Sequence, residues 1–130
     1  MSENVRQGFL LTSKKLRAPD DQLYRLLREG YIEEFNVRRE GGESIDLADC
    51  DLRNLDLRGL IARGLNFSGC YFRQADLRGV DFSESNLEGA SINSARISGA
   101  YFPRELNADE ITLSLLQGTR MRYVKQALIN

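Results

Sequence analysis

The chain has 130 residues and carries 18 basic and 19 acidic side chains, which leave a net charge of −1 at neutral pH. That balance gives no general attraction to nucleic acid or to an anionic membrane, and the hydrophobic content of 42% with 28% charged residues is typical of one globular domain. Histidine is absent, which excludes the commonest general base and the commonest metal ligand.

Residues 1–17 are predicted to form a flexible N-terminal tail. Their one apolar run, residues 8–11, is too short for the core of a signal peptide, which needs about 7–15 apolar residues. Elsewhere no apolar run approaches the roughly 18 residues that span a bilayer. We therefore expect a cytoplasmic protein that does not bind a membrane.

Residues 18–44 are predicted to form an N-terminal capping helix and a lead-in to the next segment. Pro19 followed by Asp20 and Asp21 is typical of the first turn of a helix. Gly30 is a natural helix stop. Between these signals and just beyond them, apolar residues recur at helical spacing: Leu23, Leu26, Leu27 and Ile32.

A five-residue period runs through residues 45–104. Its centre is Leu, Ile or Phe in eleven of twelve units, and the position two places earlier is apolar or small throughout. A helix would spread such a period around its circumference, and a long strand needs a period of two. Both series therefore point inward, and the chain turns a corner in every unit. The centres are Leu47, Leu52, Leu57, Ala62, Phe67, Phe72, Leu77, Phe82, Leu87, Ile92, Ile97 and Phe102, and the earlier positions are Ile45, Cys50, Leu55, Leu60, Leu65, Cys70, Ala75, Val80, Ser85, Ala90, Ala95 and Ala100.

Two other positions of the unit are also restricted. The residue between the two inward series is Asp or Asn in seven of twelve units, and it is predicted to form hydrogen bonds to the backbone near each corner. Glycine recurs two places after the centre, where a turn needs a positive φ. The acidic and amide residues are Asp46, Asp51, Asp56, Asn66, Asp76, Asp81 and Asn86.

Units such as residues 75–79 (Ala-Asp-Leu-Arg-Gly) and 85–89 (Ser-Asn-Leu-Glu-Gly) resemble the pentapeptide-repeat family, whose motif is Ala-Asp/Asn-Leu-x-x. The resemblance implies a mainly β fold, a right-handed quadrilateral β-helix with four units per coil. Residues 45–104 would then form about three coils, with a capping helix at each end. One more unit, residues 35–39, is in the same phase, but residues 40–44 break the motif and are predicted to be a loop.

Residues 105–130 are predicted to form a C-terminal helix and tail that cover the last coil, because the end of a repeat stack exposes apolar side chains and unpaired backbone groups. Asn107 and Glu110 are spaced as in a capping box, and Gly118 is a natural stop. The apolar stripe of this helix is Ile111, Leu115 and Leu116. Residues 119–130 are expected to be extended or helical. Residues 107–130 are also a candidate homodimer interface, as the C-terminal segments are in some family members.

No residue pattern points to chemistry, so we predict no enzyme, no catalytic residue, no cofactor and no metal site. Cys50 and Cys70 are one coil apart, about 4.8 Å, which is within reach of a disulfide. Both lie in the inward series, however, and in a cytoplasmic protein this favours two buried core thiols. The recurring carboxylates occupy the repeat's own Asp/Asn position, which favours hydrogen bonding to the backbone over an acid–base or metal role.

Four arginines are the candidate partner-binding residues: Arg53, Arg58, Arg73 and Arg78. They point outward on two adjacent faces, where Arg53 stacks on Arg73 and Arg58 on Arg78. They form either a solvated lattice of ion pairs with Asp56 and Asp76, or a recognition face for carboxylate or phosphate groups.

Ile61 and Tyr101 are two further candidates, because each places an apolar side chain in the outward Asp/Asn column of one face. They either contact a partner or are ordinary exposed side chains, and Tyr101 could instead lie under the C-terminal cap.

The pattern as a whole predicts a non-enzymatic scaffold that mediates protein–protein interaction. The alternative implied by the resemblance is a DNA mimic that modulates a type II topoisomerase such as DNA gyrase. Such family members are longer, acidic rods, whereas residues 41–104 carry nine acids and seven arginines, a net charge of −2. We therefore favour an unidentified protein partner and expect no direct binding to nucleic acid.

Overall fold

The computed structural model describes residues 15–124. Three helices lie in this part of the chain: α1 (Gln22–Arg28), α2 (Ile32–Glu40) and α3 (Ala108–Gln117). No helix within it is long and apolar enough to cross a membrane. Most of the predicted tail at residues 1–17, and residues 125–130 of the predicted C-terminal tail, lie outside the described residues.

Between α2 and α3 the chain is stacked on itself with a period of twenty residues. The backbone N–H of Leu77 donates to the carbonyl oxygen of Arg96 at 2.8 Å, and the N–H of Asp76 donates to that of Leu55 at 2.8 Å. We call residues 45–64, 65–84 and 85–104 tiers 1, 2 and 3. The parallel bridges between tiers are Asp51↔Tyr71, Asp56↔Asp76, Asn66↔Asn86, Tyr71↔Ser91, Asp76↔Arg96 and Asp81↔Tyr101.

These bridges are isolated residue pairs, and no continuous strand or sheet is present in residues 15–124. The prediction of a mainly β fold is therefore confirmed only in part. The physical reason is that a turn every five residues leaves one or two residues per unit in extended conformation, and those alone can pair with the next tier.

The corner position of the repeat has a positive φ in most units, as predicted. Glycine takes this conformation at six of these corners, for example at Gly69 (φ 69°). A Cβ at Gly69 would collide with the carboxylate of Asp49 in the tier above, so this corner also needs glycine for close packing. Four corners reach a positive φ without glycine: Asp49, Asn54, Gln74 and Ser94.

Both inward series form the core, which confirms the predicted register. Ten of the twelve centres and ten of the twelve earlier positions are buried, and the remaining four, at the two ends of the stack, are half-buried. Phe67, Phe72 and Phe82 form an aromatic cluster with ring centroids 5.5–6.0 Å apart. Phe102 stacks on Phe82 at 6.3 Å, which extends this cluster into tier 3.

The segment before the repeats contains two helices where one was predicted. Asp21 caps α1 by accepting a hydrogen bond from the N–H of Leu23 at 2.7 Å, and the chain turns at Gly30 with a φ of 86°. Residues 35–39, which have the phase of a repeat unit, belong to α2 and not to the stack. Phe35 occupies the position of a repeat centre in the sequence and is fully buried, but it reaches the end of the core from a helix.

Helix α3 begins and ends where predicted, since Asn107 accepts from the N–H of Glu110 at 3.0 Å and Gly118 is left-handed with a φ of 77°. The second half of the capping box does not form, because the Glu110 carboxylate binds Arg122 at 2.8 Å instead. The predicted apolar stripe is only partly inward. Ser114 is the buried residue of α3, whereas Leu116 is 68% exposed.

Residues 119–124 do not form a helix. Met121 adds to the end of tier 3, where its oxygen accepts from the N–H of Gly89 at 2.7 Å and its N–H donates to the oxygen of Ala90 at 2.9 Å. Its side chain is fully buried. This segment therefore covers one edge of the last tier.

Replacing Leu77 by Asp is expected to prevent folding or to cost about 4 kcal/mol or more of unfolding free energy, because an unpaired charge would enter a dry core. Leu77 is 1% exposed. The control Arg73→Asp lies at an exposed position and should change that free energy by no more than about 0.5 kcal/mol. Urea unfolding followed by circular dichroism measures both, and equal losses would contradict the register.

Candidate functional site

The Asp and Asn residues of the outward column have a structural role in all seven units, as predicted. In each, a side-chain oxygen accepts the backbone N–H of the residue two places later at 2.9–3.2 Å. These bonds satisfy donors at the corners that the stacking pattern leaves unpaired.

Three of these aspartates also hold an arginine of their own unit. Arg53 donates from Nε to Oδ1 of Asp51 and from Nη2 to its Oδ2, each at 2.8 Å. Asp56 and Asp76 bind the arginines two places later, Arg58 and Arg78, in the same two-bond geometry at 2.6–2.9 Å. We call these three pairs the arginine clamps. In each clamp the Nη1 group has no partner among residues 15–124.

The clamps are linked across tiers. Nε of Arg58 in tier 1 lies 3.4 Å from Oδ2 of Asp76 in tier 2, so two clamps share one carboxylate. The guanidinium carbon of Arg53 lies 5.7 Å from the ring centroid of Tyr71 in the tier below, which is a cation–π distance. The predicted lattice of ion pairs is therefore present at these residues.

Arg73 differs from the other three predicted arginines. The residue two places before it is Tyr71 where the clamps have Asp, and within the described chain its exposed guanidinium forms no ion pair. It lies on the face of Arg53, next to the face of Arg58 and Arg78. We call these four residues the arginine corner: Arg53, Arg58, Arg73 and Arg78.

The clamps change the acidity of the carboxyl groups. Hydrogen bonds from the arginine of the same unit are the main cause that lowers the pKa of Asp51, Asp56 and Asp76. The pKa of Asp76 lies well below its usual range, because Arg78 binds it and Arg58 adds a second positive charge nearby. All three carboxyl groups are therefore charged at neutral pH.

Ile61 and Tyr101 are exposed, with 48% and 67% of their surfaces in contact with solvent. Tyr101 is thus not under the C-terminal cap. The bridge from Asp81 to Tyr101 puts the tyrosine in the outward column of Ile61, two tiers away. The pair lies on the face that follows Arg58 and Arg78, apart from the arginine corner.

A group of residues before the repeats was missed by the sequence analysis. Arg17, Arg28 and Arg39 each donate from one Nη1 atom to two backbone carbonyls at the N-terminal edge of tier 1, at 2.6–3.5 Å. Their spacing of eleven residues is the available signal in the sequence. Composition and period alone could not assign an edge-binding role to these residues, because an arginine outside the repeats is usually a solvated charge.

The two cysteines are free, buried thiols, as favoured by the sequence. The Cys70 thiol donates to the carbonyl oxygen of Leu47 at 2.8 Å. Burial raises the pKa of Cys50 to about 11 and that of Cys70 further. Both thiols are therefore protonated and poor nucleophiles at neutral pH. Over residues 15–124 no group of three or more Cys, Asp and Glu side chains could hold a metal ion.

The clamps predict how the free energy of unfolding changes with pH in acid. Folding lowers the pKa of the Asp51, Asp56 and Asp76 carboxyl groups from the ordinary 3.8. Their contribution to the free energy of unfolding is therefore complete above pH 3.8 and is lost as the pH falls through the folded-state pKa values.

Arg78→Gln should raise the pKa of Asp76 toward 3.8. The control Arg73→Gln should leave it unchanged. Carbon-13 NMR titration of the Asp76 carboxyl measures both, and identical titrations would show that Arg78 does not cause the shift.

Comparison with known proteins agrees with this geometry. The family of pentapeptide repeats matches residues 44–74 and 66–102, with eight copies of the repeat. No curated protein and no solved structure matches the chain. The matched residues contain the buried centres, the turning corners and all three arginine clamps. Residues 44–102 of this chain therefore belong to the pentapeptide-repeat family.

Proposed function

We propose that residues 45–104 form a right-handed quadrilateral β-helix of about three coils. Bridges between residues twenty apart, a positive φ at most corners and two buried series support four units per coil. The chain would then divide into a tail at 1–17, an N-terminal cap and lead-in at 18–44, the helix at 45–104 and a C-terminal cap at 105–130.

The family supports a repeat scaffold and is generally non-enzymatic. We propose that this scaffold binds a protein partner through the arginine corner. The observation that carries the proposal is the geometry of the clamps. Each clamped guanidinium uses Nε and Nη2 on its own aspartate, and its Nη1 group is left without a partner in the described part of the chain.

A row of such groups suits an acidic protein surface. The arginines are held in place before binding, so little side-chain entropy is lost when their free donors meet carboxylates. Arg73, which has no ion pair of its own in residues 15–124, can bind a carboxylate with its whole planar fork. Ile61 and Tyr101 on the following face would add apolar contacts beside the arginine corner.

The DNA-mimic alternative has less support. A mimic of duplex DNA needs a continuous negative surface. Here the outward carboxylates of Asp51, Asp56 and Asp76 are each paired with the arginine of their own unit, which neutralises their charge. The binding scaffold therefore stays the preferred function, and a cytoplasmic location stays a prediction.

Replacing Arg53, Arg58, Arg73 and Arg78 together by Gln should abolish capture of the partner while the circular dichroism spectrum stays the same. The matched control replaces four other exposed arginines by Gln and should capture as the wild type does: Arg25, Arg63, Arg96 and Arg104. Affinity capture with quantitative mass spectrometry compares the three proteins. Undiminished capture by the first variant would show that the arginine corner is a solvated lattice. Inhibition of purified DNA gyrase in a supercoiling assay would support the mimic instead.

We also propose self-association through residues 107–130. Helix α3 leaves Leu113 (41%) and Leu116 (68%) exposed, and such apolar side chains on one short helix support an isologous contact. Light scattering of the intact protein should give the mass of a dimer, and Leu116→Lys should shift it to that of a monomer, because a charge would be buried in the contact. A wild-type monomer would contradict the proposal.

A further inference from the structure

The N-terminal edge of tier 1 has a hydrogen-bonding deficit that later tiers do not have. In the stack, the carbonyl oxygen of an outward residue accepts the N–H of a centre in the preceding tier, as the oxygen of Asp76 accepts from Leu57 at 2.9 Å. Tier 1 has no preceding tier. Its outward carbonyls are therefore left at an open edge unless other residues supply donors.

Three of the four units of this edge receive an arginine. Nη1 of Arg17 donates to the oxygens of residues 46 and 48, at 3.5 and 2.6 Å. Nη1 of Arg28 donates to residues 51 and 53 at 3.4 and 3.2 Å, and that of Arg39 to residues 61 and 63 at 3.3 Å each. One guanidinium nitrogen thus replaces the two backbone donors of a missing tier.

The corners of the edge are closed in a second way. The backbone of Arg17 lies between the oxygen of Asp49 and the N–H of Asp51, at 2.7 and 2.8 Å. The carboxamide of Asn36 fills the equivalent place between the oxygen of Gly59 and the N–H of Ile61, at 3.0 Å each. An amide-like group, from the main chain or a side chain, therefore completes a corner.

The remaining unit, residues 55–59, receives no arginine, and the corner before it, between residues 54 and 56, receives no amide-like group from residues 15–124. No hydrogen bond within residues 15–124 reaches the oxygen of Asn54, the N–H or the oxygen of Asp56, or the oxygen of Arg58 on this side. These four groups follow one another along the chain. Asp56 and Arg58, which carry three of the four groups, line a groove formed with the start of α2, together with Gly30, Tyr31, Glu33 and Glu34.

We propose that this groove, the open edge, binds an arginine of a partner protein. The guanidinium would donate to the oxygens of Asp56 and Arg58, in the arrangement that the chain itself uses at the other three units. The charges of the groove favour a cation, since Glu33 and Glu34 line it and Arg58 is already bound by two aspartates. Tyr31, 56% exposed, adds an aromatic side chain with which a guanidinium can stack.

The corner groups indicate the conformation of the partner. One residue of an extended segment can donate its N–H to the oxygen of Asn54 and accept from the N–H of Asp56, as Arg17 does one unit earlier. This is addition of a strand to an exposed edge. The open edge offers backbone groups and the arginine corner offers guanidinium groups, so the two bind by different chemistry, although Arg58 belongs to both surfaces.

The probe is N-acetyl-arginine amide, titrated into the nitrogen-15 labelled full chain and followed by NMR. The amides of Leu57 and Gly59 should shift and saturate, because each shares a peptide group with a carbonyl that accepts the guanidinium. The amides of Ala62 and Gly64 should not shift, since Arg39 already binds the carbonyls next to them. N-acetyl-citrulline amide, which has a similar shape without the charge, should bind at least about tenfold more weakly.

Arg39→Ala is the matched variant, because it opens a second unit of the edge. With the arginine probe its Ala62 and Gly64 amides should now shift like those of Leu57 and Gly59. Absence of a saturable shift at Leu57 and Gly59 in the wild type, or equal binding of the citrulline probe, would overturn the proposal. So would Arg6→Gln or Lys14→Gln moving these two amides without any probe, because the chain's own N-terminal segment would then occupy the open edge.

Discussion

Backbone hydrogen bonds between residues about twenty positions apart hold the tiers together, and the rest of the molecule depends on them. A five-residue unit has too few extended residues to make a strand that is stable by itself. Stacked in register, the same units pair their backbones and bury two side chains each. The Phe67, Phe72 and Phe82 cluster then fills the interior where neighbouring inward positions are as small as Ala75 and Ala90.

A stack of this kind must end, and its two ends solve the same problem with different groups. At the C-terminal end the chain returns, and Met121 pairs with tier 3 through its own backbone. At the N-terminal end α1 and α2 lie over the end of the core, where Phe35 is fully buried. The guanidinium groups of Arg28 and Arg39 replace the missing backbone donors there. Because helices cannot pair with an edge through their backbones, these long side chains are needed.

The outward surface follows from the same register. In each of the three clamps the Asp side chain accepts both the backbone N–H and the guanidinium of the arginine two residues later, as Asp51 does from Arg53. Clamp and corner therefore stabilise each other within a single unit, and the shared carboxylate of Asp76 connects two tiers. A repeat surface built in this way is ordered before any partner binds, which is the property that a scaffold needs.

The sequence by itself determined the repeat, its register and the inward side chains, because a period of five with apolar residues two places apart is compatible with few backbone paths. It also determined the Asp21 and Asn107 caps, which depend on local hydrogen bonds. The tertiary structure alone decided that residues 35–39 are helical, that Glu110 binds Arg122, and that Arg17, Arg28 and Arg39 close an edge. These outcomes depend on which groups the folded stack leaves unpaired, and no local pattern records that.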